Sequence, residues 1–189
     1  MARRPPRTTP KPISEAGLHA AALAYLERFD ASTEMVRRVL RRRVERAARA
    51  GVAERSAGAA QVERVLARLA AARLLDDAAF AARRADSLQR RGASVRGIEA
   101  RLGAQGIDRE AIRSVLATQH AADGDPELAA ALQLARRRRL GPFRASDRAA
   151  HRRRDLGVLA RAGFSAAIAH RIVDAEDADS LDDLDRPDR

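Results

Sequence analysis

The sequence contains no cysteine and no tryptophan, and aromatic residues make up only 3% of its 189 residues. The absence of cysteine excludes disulfides, thiolate metal sites and cysteine nucleophiles. The β-branched and aromatic residues that favour strands are scarce, whereas Ala and Arg, which both favour helices, are abundant. These proportions exclude most β-rich folds and predict an all-α protein.

Large apolar side chains are also few. Hydrophobic residues form 46% of the sequence, but 44 of them are Ala. The remaining Leu, Val and Ile are too few for one large core, so we expect several small helical cores. No run reaches the 18 or more apolar residues of a membrane span, and the first residues, MARRPPRTTPKP, lack the apolar segment of a secretion signal. We therefore expect a cytoplasmic protein that does not associate with membranes. We also expect it to be a monomer.

Charge is unevenly distributed along the chain. The net charge is +11, and all but one of the 37 basic residues are Arg. From Asp174 onward eight acidic and two basic residues give −6, whereas residues 1–173 carry 35 basic and 18 acidic residues, or +17. Such a basic body favours an anionic partner. We expect residues 1–12 to be a disordered basic arm and residues 175–189 an acidic tail, either solvated or shielding the body.

Apolar spacing predicts nine helices. Leu18, Ala22, Tyr25, Leu26 and Phe29 would share one face of the first helix, which the residues before Ser32 would end. The small residues 53–60 would separate the second helix from the third. Residues suited to the N-cap position precede most of the predicted helices. They are Ser32, Asp76, Ser94, Asp108, Asp125, either Ser146 or Asp147, and Ser165.

Three glycines suggest a repeat. Gly51, Gly106 and Gly163 each follow a predicted helix and precede an apolar residue, as expected for a left-handed helix C-cap. An apolar pair follows the second and third glycines at +9 and +10, and follows the first at +14 and +15. The sequence thus predicts three tandem three-helix repeats, over residues 13–74, 75–122 and 123–174, with about five extra residues in the first.

Sequence motifs for enzyme chemistry are absent. The four histidines lie far apart, and neither a glycine-rich phosphate-binding motif nor a metal-ligand spacing occurs. Asp76 and Asp77 form a carboxylate pair, but their place before an apolar-faced helix favours capping over acid–base chemistry. We therefore expect a protein that is not an enzyme and has no cofactor, metal ion or catalytic residue.

Runs of arginine are the candidate binding residues. They occur in all three repeats, although a solvated helix face in an Arg-rich sequence is an alternative explanation. The candidates are Arg37, Arg38, Arg41, Arg42 and Arg43 in the first repeat, Arg83, Arg84, Arg90 and Arg91 in the second, and Arg136, Arg137, Arg138, Arg139, Arg152, Arg153 and Arg154 in the third. The second helix has few acidic residues to neutralise the arginines of the first repeat.

Three stretches resemble the RecX family of recombinase regulators. LLDDAAFAARRADSLQRRGASVRGIEARLGAQGID, at 74–108, is similar to the family's central segment, a Leu-Leu/Ile-Asp-Asp-x-x-Phe motif followed by an Arg-rich helix and a helix ending in a Gly-Ile/Val step. LGVLARAGFSAAIAHRIV, at 156–173, resembles its third-unit ending, and residues 22–43 resemble its first unit. Met35 departs from the Leu expected after Glu, and the loop after Gly51 is long.

The resemblance implies tandem three-helix repeats in an elongated, curved body that binds the RecA filament. It further implies restraint of ATPase activity, strand exchange and filament growth, and hence regulation of DNA repair and recombination. Single-stranded DNA would be a secondary electrostatic contact. The alternative is a helix-turn-helix DNA-binding protein, either a transcription factor or a nucleoid protein. Against it, the sequence has no Asn to read adenine, and the third helices are less basic than the second.

Overall fold

The structure, a computed structural model, describes residues 12–120 and 125–182. All regular secondary structure in these two ranges is helical, which confirms the predicted all-α fold. The predicted basic arm lies outside the described residues except for Pro12, and so does the acidic tail beyond residue 182.

The nine predicted helices are present in the described ranges, together with one short 3₁₀ turn, Gly141–Phe143, and one short C-terminal helix. In chain order the α-helices are α1 (Glu15–Leu26), α2 (Thr33–Arg49), α3 (Arg55–Ala71), α4 (Asp77–Arg90), α5 (Val95–Ala104), α6 (Arg109–His120), α7 (Pro126–Arg138), α8 (Arg148–Arg161), α9 (Ala166–Val173) and α10 (Asp179–Asp182). They form two compact parts, one ending at Phe80 and the other beginning at Ala81, so the division falls within α4.

The three glycines that predicted the repeat have the same conformation. Gly51, Gly106 and Gly163 have φ values of +72°, +83° and +98°, in the left-handed region that glycine adopts readily. After each glycine, the next N–H donates to the carbonyl five residues earlier, which is the hydrogen bond of a Schellman motif. These bonds join Val52 to Ala47, Ile107 to Leu102, and Phe164 to Leu159. The backbone at these three glycines is therefore the same, as the predicted helical repeat requires.

In the first compact part, α1, α2 and α3 pack against one another. Their core contains Leu18, Leu40 and Leu69, which are almost fully buried. Gly58 of α3 lies against Val44 of α2, where a Cβ would collide with the valine side chain. A small residue at this position therefore lets the two helices approach closely.

Two details of the first repeat differ from the prediction. The small residues after Arg55 belong to α3, so the extra residues of this repeat lengthen a helix. Their glycine and alanines fit this position because the helix packs closely on α2. Helix α1 ends at Leu26, and Phe29 is 47% exposed with its ring 4.9 Å from that of Tyr25. The chain has left the helix before Phe29, so the predicted helical face does not extend to it.

In the second compact part, α7, α8 and α9 enclose the core of the third repeat, with Leu132, Leu159 and Ile172 fully buried. Leu181 of α10 joins the same core, so the described part of the acidic tail packs onto this repeat. In the second repeat, Ile98 and Leu102 of α5 are buried.

A buried carboxylate joins the 3₁₀ turn to α8. Asp155 is 1% exposed, and it accepts hydrogen bonds from the Gly141 N–H at 3.0 Å and from the Arg144 guanidinium at 2.9 Å. Burial alone would raise the pKa of Asp155, but the Arg144 guanidinium and the Gly141 N–H together hold it below its ordinary value. The predicted N-cap of α8, Asp147, has a left-handed backbone and makes no capping hydrogen bond.

Carboxylates from the following repeat cap the second helices of the first two repeats. Ser32 and Ser94 occupy the predicted N-cap positions of α2 and α5, and each hydroxyl accepts an N–H from its own helix. The first N–H of α2, from Thr33, donates to Asp77 at 2.7 Å. The first N–H of α5, from Val95, donates to Glu127 at 2.8 Å. The same connection therefore occurs once in each compact part.

Candidate functional site

One flank of α2 is neutralised by acidic residues. Arg37 lies 2.8 Å from Glu34 and 3.1 Å from Glu63, and Arg41 also lies 3.1 Å from Glu63. Arg38 pairs with Glu34 at 2.9 Å. The hydrogen bond from Arg37 is the main cause of the lowered pKa of Glu63. The expectation that little acid offsets these three arginines is therefore wrong, because Glu34 of α2 itself and Glu63 of the neighbouring α3 both pair with them.

The opposite flank of α2 remains cationic. Arg42, Arg43 and Arg46 are exposed and have no ion-pair partner in the part of the chain that the structure describes. At about 100° per residue they lie within about 100° of one another, on the side of the buried stripe away from Arg37 and Arg41. These three residues, which we call the α2 cluster, can approach an anionic surface together.

The four candidate arginines of the second repeat do not form a uniform basic face. Arg90 pairs with Asp86 at 2.6 Å. Arg84 is half-buried, with its Nε atom sequestered from solvent. Arg83 and Arg91 are exposed, and the Arg91 carbonyl accepts a hydrogen bond from Arg137 at 2.8 Å. That bond brings together the ends of two predicted clusters, in α4 and α7.

The third repeat contains both engaged and unpaired arginines. Arg136 lies over the ring of Phe143, with 5.8 Å from its guanidinium carbon to the ring centroid. By contrast, Arg138, Arg139, Arg153 and Arg154 are exposed and have no ion-pair partner among the described residues. We call these four the third-repeat cluster.

The first residue of the acidic segment neutralises one predicted binding residue. Arg152 forms two hydrogen bonds with Asp174, at 2.6 Å and 2.7 Å, and His170 lies 3.0 Å from the same carboxylate. The hydrogen bonds from Arg152 and then from His170 lower the pKa of Asp174 to about 2. Arg148 also donates to the carbonyl oxygens of Ala175 and Glu176. The segment after α9 is thus held against α8 by arginine contacts.

Asp76 and Asp77 both cap helices, but only Asp76 caps the helix that follows it, as predicted. Asp76 accepts the Ala79 N–H at 2.9 Å and caps its own helix, while Asp77 caps α2 through Thr33. In the described ranges no group of three or more His, Asp or Glu side chains could hold a metal ion. Likewise, no helix there has both the length and the apolar character that crossing a bilayer requires.

The sequence also resembles curated proteins over most of its length. It is 39% identical over 173 residues to the regulatory protein RecX of Myxococcus xanthus, a match that covers 89% of this chain and 90% of that protein. The chain belongs to the RecX family. The match includes nearly the whole described body, so the predicted resemblance is confirmed.

Other RecX proteins match over a shorter region. The regulatory proteins RecX of Thermobifida fusca and Mycobacterium avium are 37% and 41% identical over 116 and 113 residues, covering 61% and 59% of this chain and 60% and 64% of theirs. A crystal structure of regulatory protein RecX aligns with a TM-score of 0.61 and 21% identity, over 85% of this chain and 72% of that one. This likeness establishes a shared RecX fold. No protein-family model matches the chain.

Proposed function

We propose that this RecX-family protein binds the filament of the recombinase RecA and restrains its ATPase activity, strand exchange and growth. The proposal rests on membership of a family whose relatives are named as regulatory proteins. It further places the protein in the cytoplasm as a monomer without catalytic activity, which would regulate DNA repair and recombination by occupying the filament.

The unpaired arginines supply the chemistry for an anionic surface. Seven guanidiniums, in the α2 cluster and the third-repeat cluster, are exposed and have no ion pair among the described residues. Each can donate two parallel hydrogen bonds to a carboxylate or a phosphate. Acidic filament surface would be the principal contact and single-stranded DNA the secondary one, with affinity falling as salt rises.

The arrangement supports a filament regulator better than a helix-turn-helix DNA reader. A helix-turn-helix protein places its third helix in the major groove. Here the two clusters occupy α2, the end of α7 and the middle of α8, and none of these is the third helix of its repeat. Binding by such surfaces would be electrostatic and would not select a base sequence.

The test measures the DNA-dependent ATPase activity and strand exchange of RecA with and without the protein. We expect equimolar protein to suppress both. In one variant Arg42 and Arg43 are changed to Glu, and in a second Arg153 and Arg154 are changed likewise. The matched control changes Arg161 and Arg171 to Glu. These two arginines are also exposed and have no ion-pair partner in the described chain.

We expect each cluster variant to require about tenfold more protein for the same inhibition, and the control about as much as the unmodified chain. If the unmodified protein leaves both activities unchanged, the proposed function is wrong. If all three variants weaken inhibition equally, net charge matters and the two clusters are not specific contacts.

A further inference from the structure

A groove between α5 and α6 in the second repeat is separate from the arginine clusters above. It has a volume of about 680 Å³ and is lined by Arg96, Glu99, Ala100, Gly103, Arg109, Ile112 and Arg113. This volume is in the range of pockets that hold small ligands or a few side chains. Charged residues line one part of the groove and small or apolar residues line the other. The first part suits an anion, and the second suits an apolar side chain.

The three arginines of the groove have no acidic partner. Arg96, Arg109 and Arg113 are exposed, and none makes an ion pair with any described residue, Glu99 included. Arg109 and Arg113 are four residues apart on α6, a spacing at which like charges destabilise a helix slightly. An anion bound between them would relieve that repulsion and accept their hydrogen bonds.

The base of the groove is open and weakly polar. A Cβ added at Gly103 would meet no atom within 4 Å, so the space above this residue is empty. Ala100 lies one helical turn before Gly103, and the largely buried Ile112 faces them from α6. An apolar side chain of moderate size fits between these residues.

We infer that the α5–α6 groove binds an acidic segment of a partner protein, with a carboxylate between the arginines and a neighbouring apolar side chain on Ala100 and Gly103. Nucleic acid fits the groove less well. Non-specific single-strand sites use aromatic side chains to stack bases, and no aromatic residue lines this groove. This inference does not require that the partner be RecA.

The test uses the full-length protein and a fluorescein-labelled peptide of sequence Asp-Leu-Asp-Asp-Leu-Asp, followed by fluorescence anisotropy. A peptide with Asn in place of Asp controls for charge, and oligothymidylate competes as the nucleic acid. We expect saturable binding of the acidic peptide that weakens with salt. We expect weaker binding of the Asn peptide and little displacement by oligothymidylate.

Three variants locate the binding in the groove. Arg96→Glu and Arg113→Glu should each weaken peptide binding by about tenfold, since each removes a charge-assisted contact. Gly103→Leu fills the base without changing charge, and Leu favours a helix more than Gly does. It should weaken binding to a similar extent. Arg171→Glu makes the same charge change on α9 and should alter affinity by less than about twofold.

Circular dichroism establishes that each variant is folded. The inference is overturned if the peptide shows no saturable binding, or if Gly103→Leu binds it as well as the unmodified protein does. It is also overturned if oligothymidylate displaces the peptide and binds more tightly, since the groove would then be a nucleic-acid site. Loss of peptide binding with RecA inhibition unchanged would leave the proposed function intact.

Discussion

Replacing Asp155 with Asn should destabilise the protein strongly, although only one atom changes. The carboxylate is buried, and it joins the Gly141 N–H and the Arg144 guanidinium to α8. Asn retains one acceptor but presents an amide donor, which cannot accept hydrogen bonds from the guanidinium. Breaking a buried pair costs about 3–5 kcal/mol. Because Arg144 is 23% exposed and can regain water, we expect about 2–3 kcal/mol here.

The measurement is urea and thermal denaturation followed by circular dichroism. For a chain of this length the loss corresponds to a fall in Tm of about 5–10 °C. Asp147→Asn is the matched control, since Asp147 is exposed at the start of the same helix and makes no side-chain cap. If Asp155→Asn destabilises the protein no more than this control does, the buried carboxylate does not hold the turn to α8.

The effect of Asp155 should depend on pH. The folded state lowers its pKa below the ordinary value for an aspartate, so the ionised carboxylate adds stability above that ordinary value. This contribution is lost as pH falls through the lowered folded-state pKa. The difference in unfolding free energy between the unmodified protein and Asp155→Asn should therefore be constant near neutral pH and shrink in strong acid. A difference that does not change with pH would contradict the electrostatic origin.

Three further predictions concern other contacts. NMR titration should give Asp174 a pKa of about 2, and Arg152→Gln should return it toward 3.8. In urea denaturation, Gly163→Ala should lower the free energy of unfolding by about 1–3 kcal/mol more than Gly51→Ala does. A Cβ at residue 163 would lie 2.6 Å from the Ser94 hydroxyl, whereas a Cβ at residue 51 would meet no atom within 4 Å. Glu63→Gln should release Arg41 and leave Arg37 with Glu34 alone, and it should therefore raise the salt concentration that elutes the protein from heparin; elution at unchanged salt would contradict this.

The helices and their ends could be predicted from sequence because their signals are local. An N-cap such as Ser94 and a C-cap such as Gly163 act within one helical turn, so their residue types are sufficient. The end of α1 differs from the prediction because Phe29 continues the apolar spacing after the helix has ended at Leu26. A pattern of side chains does not contain the tertiary packing that stops a helix.

Some charge pairs of the predicted binding residues are local, such as Arg38 with Glu34, but others join distant parts of the chain. Arg37 and Arg41 follow each other on one helix, but their partner Glu63 comes more than twenty residues later, from a helix packed alongside. Glu63 follows the buried Val62 on α3, at the edge of the face that packs on α2. Knowing that α2 and α3 pair would therefore have identified Glu63 as a possible partner of the α2 arginines. Of the sixteen predicted arginines, those without an acid nearby in space remain candidates, a distinction that composition cannot make.

Asp77 and Glu127 make each of the first two repeats depend on the next one. The N–H groups of Thr33 and Val95 begin a helix in one repeat and are satisfied by a carboxylate from the repeat that follows. A fragment cut after Leu75 would retain all three helices of the first repeat and still lack one of its hydrogen bonds. A fragment that keeps all the hydrogen bonds of the first repeat must therefore extend beyond the predicted boundary, into the first turn of the next helix.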